Sequence, residues 1–430
     1  MQNLRQKAHS MLRGSEGFFK TDMVYLAEGG SWLSLGQIVS SISSFLLIIA
    51  FANLVPKETY GTYKYVLSIV GILLIPSLPG ISTAVSMAAT RGLDGTLALA
   101  LTTKVRWGLI SSLASLLLAG YYFVSGNTSL MISFLIASIL LPFIDAFGIY
   151  GAFLNGKKEF RASTKYGAII HVISAGIMIA TIFLTDNLFL ILLSYFFSWT
   201  LLRYVFFRIT ARKFVGSADE DPGAISYGKH LSLIKVINIM ANYTDRLLVF
   251  HFLGAVPLAV YSLAIAMPEQ IKGVLSSLDT LAFPKFVKRS TEDIRASFKK
   301  KALRLFLLGV VVIGAYILIA PFIYKVFFPQ YLEAVFYSQL FALSMLNLTL
   351  FPATTALKAK KNTRALYISN FVTPIFQIII MIIFIIWIGL LGLIIARIIS
   401  RFFGSLLDTY LFFKTSPDNT VESSLPETSR

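Results

Sequence analysis

Cysteine is absent from all 430 residues, so neither disulfide nor thiolate chemistry is open to this chain. Histidine is scarce, and His171, His230 and His251 are scattered without the spacing of a metal site. Charged residues make up only 14% of the chain. No polar stretch between the apolar runs is long enough to fold around a core of its own. The turns Ser125–Ser129, Thr185–Asn187 and Leu253–Val256 are a few residues each. A catalytic domain outside the apolar segments has nowhere to sit, and the expectation is a protein that is not an enzyme. Asp219-x-Asp221 has the spacing of a nucleotide-sugar metal site, but it lies in a short linker without a surrounding fold. Alternating segments of about 10 residues, the mark of a membrane β-barrel, are missing as well.

What is present is apolar sequence, 56% hydrophobic with a mean hydropathy of +0.75. A membrane-spanning helix needs about 20 mainly apolar residues. Twelve stretches qualify: 31–54, 65–87, 105–124, 130–153, 166–184, 188–206, 231–253, 255–281, 303–328, 332–355, 367–387 and 389–411. Trp32, Trp107, Trp199 and Trp387 fall near the predicted ends, as interface anchors should. The sequence therefore predicts an all-α polytopic membrane protein with 12 transmembrane helices. Its parts are an N-terminal tail (1–30), a six-helix bundle (31–206), a connector (207–230), a second six-helix bundle (231–413) and a polar tail (414–430) expected to be disordered. The N-terminal tail lacks a cleavable-signal pattern, so the first span is expected to be a retained anchor.

The net charge of +17 would suggest nucleic acid in a soluble chain. Its placement argues otherwise. Arg5, Lys7, Arg13 and Lys20, with the turns Lys157–Lys165, Lys285–Arg304 and Lys358–Arg364, all fall on one side. The turns on the other side hold only Lys57, Lys64 and Lys325. The positive-inside rule then places both termini in the cytoplasm, with membrane lipids and no nucleic acid as partners.

The chain also repeats itself. Val55-Pro56-x-x-x-Tyr60 recurs as Val256-Pro257-x-x-x-Tyr261. Leu154-x-Gly156-Lys157-Lys158-x-x-Arg161-Ala162 recurs as Leu357-x-Ala359-Lys360-Lys361-x-x-Arg364-Ala365. Both pairs lie about 200 residues apart, the signature of a duplicated unit. Six spans per unit give the halves one orientation, related by an axis along the membrane normal.

Polar residues inside spans face a bundle interior or a wet cavity, because hydrocarbon penalises them. At about 100° per residue, Lys235, Asn238, Asn242, Asp245 and Arg246 share an arc of roughly 100° on span 7. Their repeat equivalents on span 1 include Ser34, Gln37, Ser41 and Ser44, also one stripe. Interhelical hydrogen bonding explains the serines equally well. Span 8 carries Ser262, Glu269, Lys272, Ser276 and Asp279 on one face, and span 12 carries Arg397, Arg401, Gly404 and Asp408. Arg397 and Arg401 either line an aqueous path or pair with Asp408 or Glu269. Asp145 on span 4 has no predicted basic neighbour, and the first half is read as having no deep Lys or Arg. The deep cations Lys235, Arg246, Lys272, Arg397 and Arg401 outnumber Asp145, Asp245 and Glu269. That surplus favours an anionic ligand such as a phosphate, which the planar Arg fork suits.

One further set of motifs is Asn242-Tyr243-Thr244-Asp245-Arg246-Leu247-Leu248, continuing through Phe252-Leu253-Gly254 to Val260-Tyr261-Ser262-Leu263-Ala264. With it stand Pro284-Lys285-Phe286 before a basic loop, Gly389-Leu390-Leu391-Gly392 then Ala396-Arg397, Tyr60-Gly61-x-Tyr63 and the Gly156-Lys157-Lys158 turn. Together they resemble the O-antigen and polysaccharide flippases of the multidrug/oligosaccharidyl-lipid/polysaccharide exporter superfamily, over nearly the whole chain. The resemblance implies a MATE-like, V-shaped pair of six-helix bundles working by alternating access in the bacterial inner membrane. It implies a substrate of undecaprenyl-pyrophosphate-linked oligosaccharide, and a polysaccharide polymerase and chain-length machinery as partners. On this reading Lys235, Arg246, Lys272, Arg397 and Arg401 hold the pyrophosphate. Ser34, Gln37, Ser41, Ser44, Asn238 and Asn242 meet sugar hydroxyls. Asp145, Asp245 or Glu269 couples the cycle to H⁺ or Na⁺, with no other cofactor. The alternative is a cation-coupled multidrug exporter, which prefers acidic cavities; the surplus of deep cations argues against it.

Overall fold

The computed structural model describes residues 23–288, 290–360 and 363–414. Most of the two predicted tails lies outside these residues. Among the described residues there are helices and no strands. Helix α1 is Met23–Leu54, and α2 is Lys57–Leu73 and Ile81–Thr90 on either side of a break. The break has a cause in the sequence: Pro76 and Pro79 supply no N–H to the helix ladder, and Leu78 sits at φ 60°. There follow α3 (Thr96–Val124), α4 (Thr128–Ile144 and Tyr150–Gly156), α5 (Phe160–Leu184) and α6 (Leu188–Lys213). The second half has α7 (Ala224–Leu253), α8 (Ala255–Lys288) and α9 (Thr291–Phe327). Helix α10 runs Ala334–Ala342, then a 3₁₀ stretch Leu343–Leu350, then Phe351–Ala359. The last element, Thr363–Lys414, is interrupted at Gly389 (φ 66°), which separates α11 from α12.

Among the described residues, eight helices are long and apolar enough to cross a membrane, and the bent α2 pair makes a ninth. The last of the eight contains both α11 and α12. Helices α7 and α8 fall outside this set, and they are the ones that carry Lys235, Asp245, Arg246, Glu269 and Lys272. Counted with them, the passages number twelve, so the expected twelve is reached only approximately on apolarity alone.

The repeat is visible in the backbone. Val55-Pro56 stand just before α2 and Val256-Pro257 in the first turn of α8, and Tyr60 and Tyr261 are both fully buried. Helices α4 and α10, equivalent in the repeat, both lose regular α-geometry partway, at the 3₁₀ turns Phe147–Ile149 and Leu343–Leu350. In the first half α1 packs on α5, and α3 on α4. In the second half α7 packs on α11 and α12, and α9 on α10. The seam between the halves is α2 against α7 and α8.

The helices run further than the apolar sequence that announced them. Helix α2 begins at Lys57 rather than 65, α3 at Thr96 rather than 105, and α6 continues to Lys213 rather than 206. Apolar runs mark hydrocarbon contact, whereas helical hydrogen bonding continues through residues whose long stems lie along apolar neighbours. Lys64 and Lys104, expected in turns, therefore lie inside helices. Trp199 likewise sits well inside α6, under Arg203 at 4.8 Å, rather than at a helix end. Trp387 does sit at a helix end, next to Gly389.

Two ends of the molecule differ. At the end where α1 turns into α2, one apolar core joins the halves, with Phe51, Tyr60, Phe134 and Phe196 from the first and Leu263, Tyr324, Phe328 and Tyr331 from the second. Lys57 pairs with Glu333 at 2.6 Å, and the Asn53 amide donates to the Phe327 carbonyl at 2.8 Å. At the opposite end the connector is fastened to the first half. Buried Asp94 accepts from the Gly216 N–H at 2.8 Å and pairs with Lys157 at 2.7 Å, while the Asp221 N–H donates to Thr96.

Candidate functional site

Helices α7, α8 and α12 bring their polar faces together in the second half. Asp245, only 1% exposed, accepts from the Tyr261 hydroxyl at 2.6 Å and from Arg397 at 2.7 Å through one oxygen. Its other oxygen accepts the backbone N–H of Arg246 at 2.8 Å. Arg397 and Arg401 stand one turn apart on α12 and share Glu269, Arg397 at 3.5 Å and Arg401 in direct contact. Arg401 also donates to the Ser344 hydroxyl at 2.8 Å, in the 3₁₀ part of α10. Of the two partners open from sequence, Glu269 is the one that pairs with the arginines; Asp408 accepts from Thr354 and Ser369 instead. Two arginines face two carboxylates, so the network is charge-balanced. Desolvating such groups is expensive, and only complementary geometry of this kind offsets it.

The first half holds an ion pair of its own. Lys104, 1% exposed, reaches Asp145 at 2.6 Å, and Ser77 donates to the same oxygen at 2.6 Å. Arg203 caps the end of the helix segment before Asp145 by donating to the Ile144 carbonyl at 2.7 Å. Asp145 thus has a basic neighbour, and the first half has a deep cation, contrary to the expectation from sequence. The apolar run on α3 begins one residue after Lys104, which hid it. A signal was available: Lys104, Gly108, Ser111 and Ser115 form one buried stripe at helical spacing.

The remaining cations have no carboxylate at ion-pair distance among the described residues. Lys235 is exposed on α7. Arg246 stands over the Tyr243 ring at 5.9 Å, with its Nε buried and lacking an acceptor. Lys272 lies within Coulombic reach of Glu269 and Arg401 without pairing. Lys64, expected from sequence in a turn, lies over the Tyr60 ring at 5.2 Å. The five predicted cations therefore do not form one cluster. Arg397 and Arg401 are engaged with acids, whereas Lys235 and Arg246 share an α7 face with Asn238 and Asn242. Asn242 is exposed, and Asn238 donates to the Asn370 carbonyl at 3.3 Å. On α1, Ser34 and Gln37 are exposed, Ser41 and Ser44 are half-buried, and Gln37 reaches Ser41 at 3.4 Å. The exposed members of the two stripes are Lys235 and Asn242 on α7 and Ser34 and Gln37 on α1.

Residues 26–290 match the family described as polysaccharide biosynthesis protein. No curated protein matches the sequence. Solved structures do. An inward-facing multidrug resistance transporter of the MATE family, in the MOP superfamily, aligns with TM-score 0.62 and 12% identity over 88% of this chain and 97% of its own. Such a transporter in an outward-facing conformation aligns with TM-score 0.59 and 14% identity over 90% and 94%. A MOP superfamily transporter from Pyrococcus furiosus, described as having a binding pocket of reversed polarity, gives 0.60 and 14% over 90% and 95%. At such identities the likeness shows the fold: an all-helical polytopic architecture of the MATE type, as expected from sequence.

Proposed function

The chain belongs to the polysaccharide biosynthesis protein family, and from that membership we propose that it is a flippase for an undecaprenyl-pyrophosphate-linked oligosaccharide. The cargo would pass from the cytoplasmic to the periplasmic leaflet of a bacterial inner membrane by alternating access between the two halves, with both termini cytoplasmic. The observation that carries this reading is the α7 face. Lys235 and Arg246, two cations without a carboxylate among the described residues, flank Asn238 and Asn242 on a single stripe. The stripe offers cations to an anionic headgroup and amides to hydroxylated sugar. Arg246 supplies a planar fork for phosphate and Lys235 a point charge. Ser34, Gln37, Ser41 and Ser44 on α1 offer hydroxyl and amide partners from the other half.

Arg397 and Arg401 enter the reading through their acids. Protonation of Asp245 or Glu269 would release them toward the pyrophosphate, with Lys272 beside them, and so couple H⁺ to cargo binding. Asp145, held by Lys104, would serve a cation in the first half only if Lys104 moved away. A cation-coupled drug exporter shares the fold, but its cationic cargo would meet Lys64, Lys235 and Arg246 without acids to balance them.

The test is export in cells. Lys235→Ala with Arg246→Ala is expected to abolish surface polysaccharide at unchanged protein level in the membrane. Normal surface polysaccharide in that double variant would exclude this face as the grip.

A further inference from the structure

Helix α2 meets the second half along one stripe, Gly61, Lys64, Ser68 and Gly71. A Cβ at Gly61 would lie 1.9 Å from the Ala255 carbonyl oxygen, and one at Gly71 would lie 2.2 Å from the Tyr243 ring. Both ends of the stripe are pressed against α7 and α8, so Lys64 between them faces the same way. On α7 the pattern is mirrored. Tyr243 sits against Gly71, and Phe250 stacks on Tyr65 of α2 with centroids 3.7 Å apart. Arg246 lies between these two contacts on the same face of α7.

Two cations, one from each half, thus look into the same seam, near enough to repel. Neither has a carboxylate at ion-pair distance among the described residues. Their surroundings are aromatic and hydroxylic: Lys64 lies 5.2 Å from the Tyr60 ring and 6.0 Å from the Tyr63 ring. The Tyr60 and Tyr331 hydroxyls and the Arg246 Nε are buried without a hydrogen-bond partner. In a weakly screened setting, closing like charges together is costly unless an anion stands between them.

We propose that Lys64 and Arg246 form a latch in which one phosphoryl anion bridges the two halves and holds the α1–α2 end closed. The Arg fork and the phenol hydroxyls supply donors directed at phosphate oxygens, and Lys64 balances the remaining charge. The inference rests on the flippase reading for one source of the anion, the pyrophosphate of the cargo. The phosphate of a bilayer lipid offers the same chemistry. Binding would then drive closure on one side of the membrane, which alternating access requires.

The absence of native cysteine makes the test direct. Leu54→Cys and Leu332→Cys, both exposed and on opposite sides of the seam, carry spin labels in the full chain. The protein sits in phosphatidylcholine nanodiscs, and electron–electron double resonance reads the distance. Polyprenyl pyrophosphate is expected to enrich the short-distance population. Lys64→Gln and Arg246→Gln should each abolish that response and populate the short distance without anion. Lys64→Arg should restore the response, and Lys325→Gln should leave it intact. If phosphatidylglycerol alone closes the wild-type seam, the latch stands and its anion is a bilayer phosphate. A wild-type distance unmoved by either lipid, or a Lys64→Gln response equal to wild type, overturns the latch. Crossing of cargo without seam closure would sink the latch but not the flippase. Closure without crossing would do the reverse.

Discussion

Tyr60 and Tyr261 hold equivalent places in the two repeats and meet different fates. Tyr261 donates to Asp245 at 2.6 Å, whereas the Tyr60 hydroxyl is buried without a partner. The repeat puts Ser44 where the second half has Asp245, so the tyrosine stands in both halves and the acid in one. That acid now compensates Arg397 in a buried pair. Removing one member strands a charge, which typically costs about 3–5 kcal/mol. Arg397→Ala or Asp245→Ala is therefore expected to lower the thermal unfolding temperature in detergent sharply, and Asp245→Asn with Arg397→Gln to recover part of the loss. Equal unfolding temperatures for wild type and Arg397→Ala would show that the pair does not stabilise the fold. Lys104→Met should behave like the first singles, because it strands Asp145. The polar faces of α7, α8 and α12 were legible in sequence because helical periodicity gathers their residues on one side. Which acid would pair with which arginine was not legible, since pairing depends on how three helices cross.

Among the elements, the apolar runs announced nearly every helix but misplaced their ends. Lys64 and Lys104 lie one residue outside their apolar runs, and hydropathy alone therefore places them in turns. The glycines of α2 carried better information about the seam. At Gly61 there is no room for a Cβ against the Ala255 carbonyl. Gly61→Leu is expected to force α2 away from α8 and to cost about 1–3 kcal/mol of stability through overpacking. Cross-linking between cysteines introduced at Leu54 and Leu332 should fall severalfold in that variant. Unchanged cross-linking would mean that the seam does not depend on close approach at Gly61. Gly254 plays a different part. It ends α7 at φ 96°, with its N–H bonded to the Val249 and Phe250 carbonyls, so the turn into α8 needs a residue that tolerates the left-handed region.

Across the whole molecule, the duplicated motifs anticipated two related helical units, and the MATE-type fold agrees with them. What the sequence could not place was the seam, because α2 packs mainly on the other half rather than within its own. Orientation is a proposal resting on the basic turns. With impermeant maleimide on spheroplasts, Asp186→Cys is expected to label and Glu220→Cys to remain protected; the opposite pattern would invert the topology. The most direct trial of the flippase reading is leaflet accessibility of a polyprenyl-pyrophosphate-linked oligosaccharide in vesicles, with and without the purified protein. Protein-dependent crossing, lost when Lys235 and Arg246 are both replaced by Ala, is the predicted result. No crossing by wild-type protein, with or without an H⁺ or Na⁺ gradient, would contradict it.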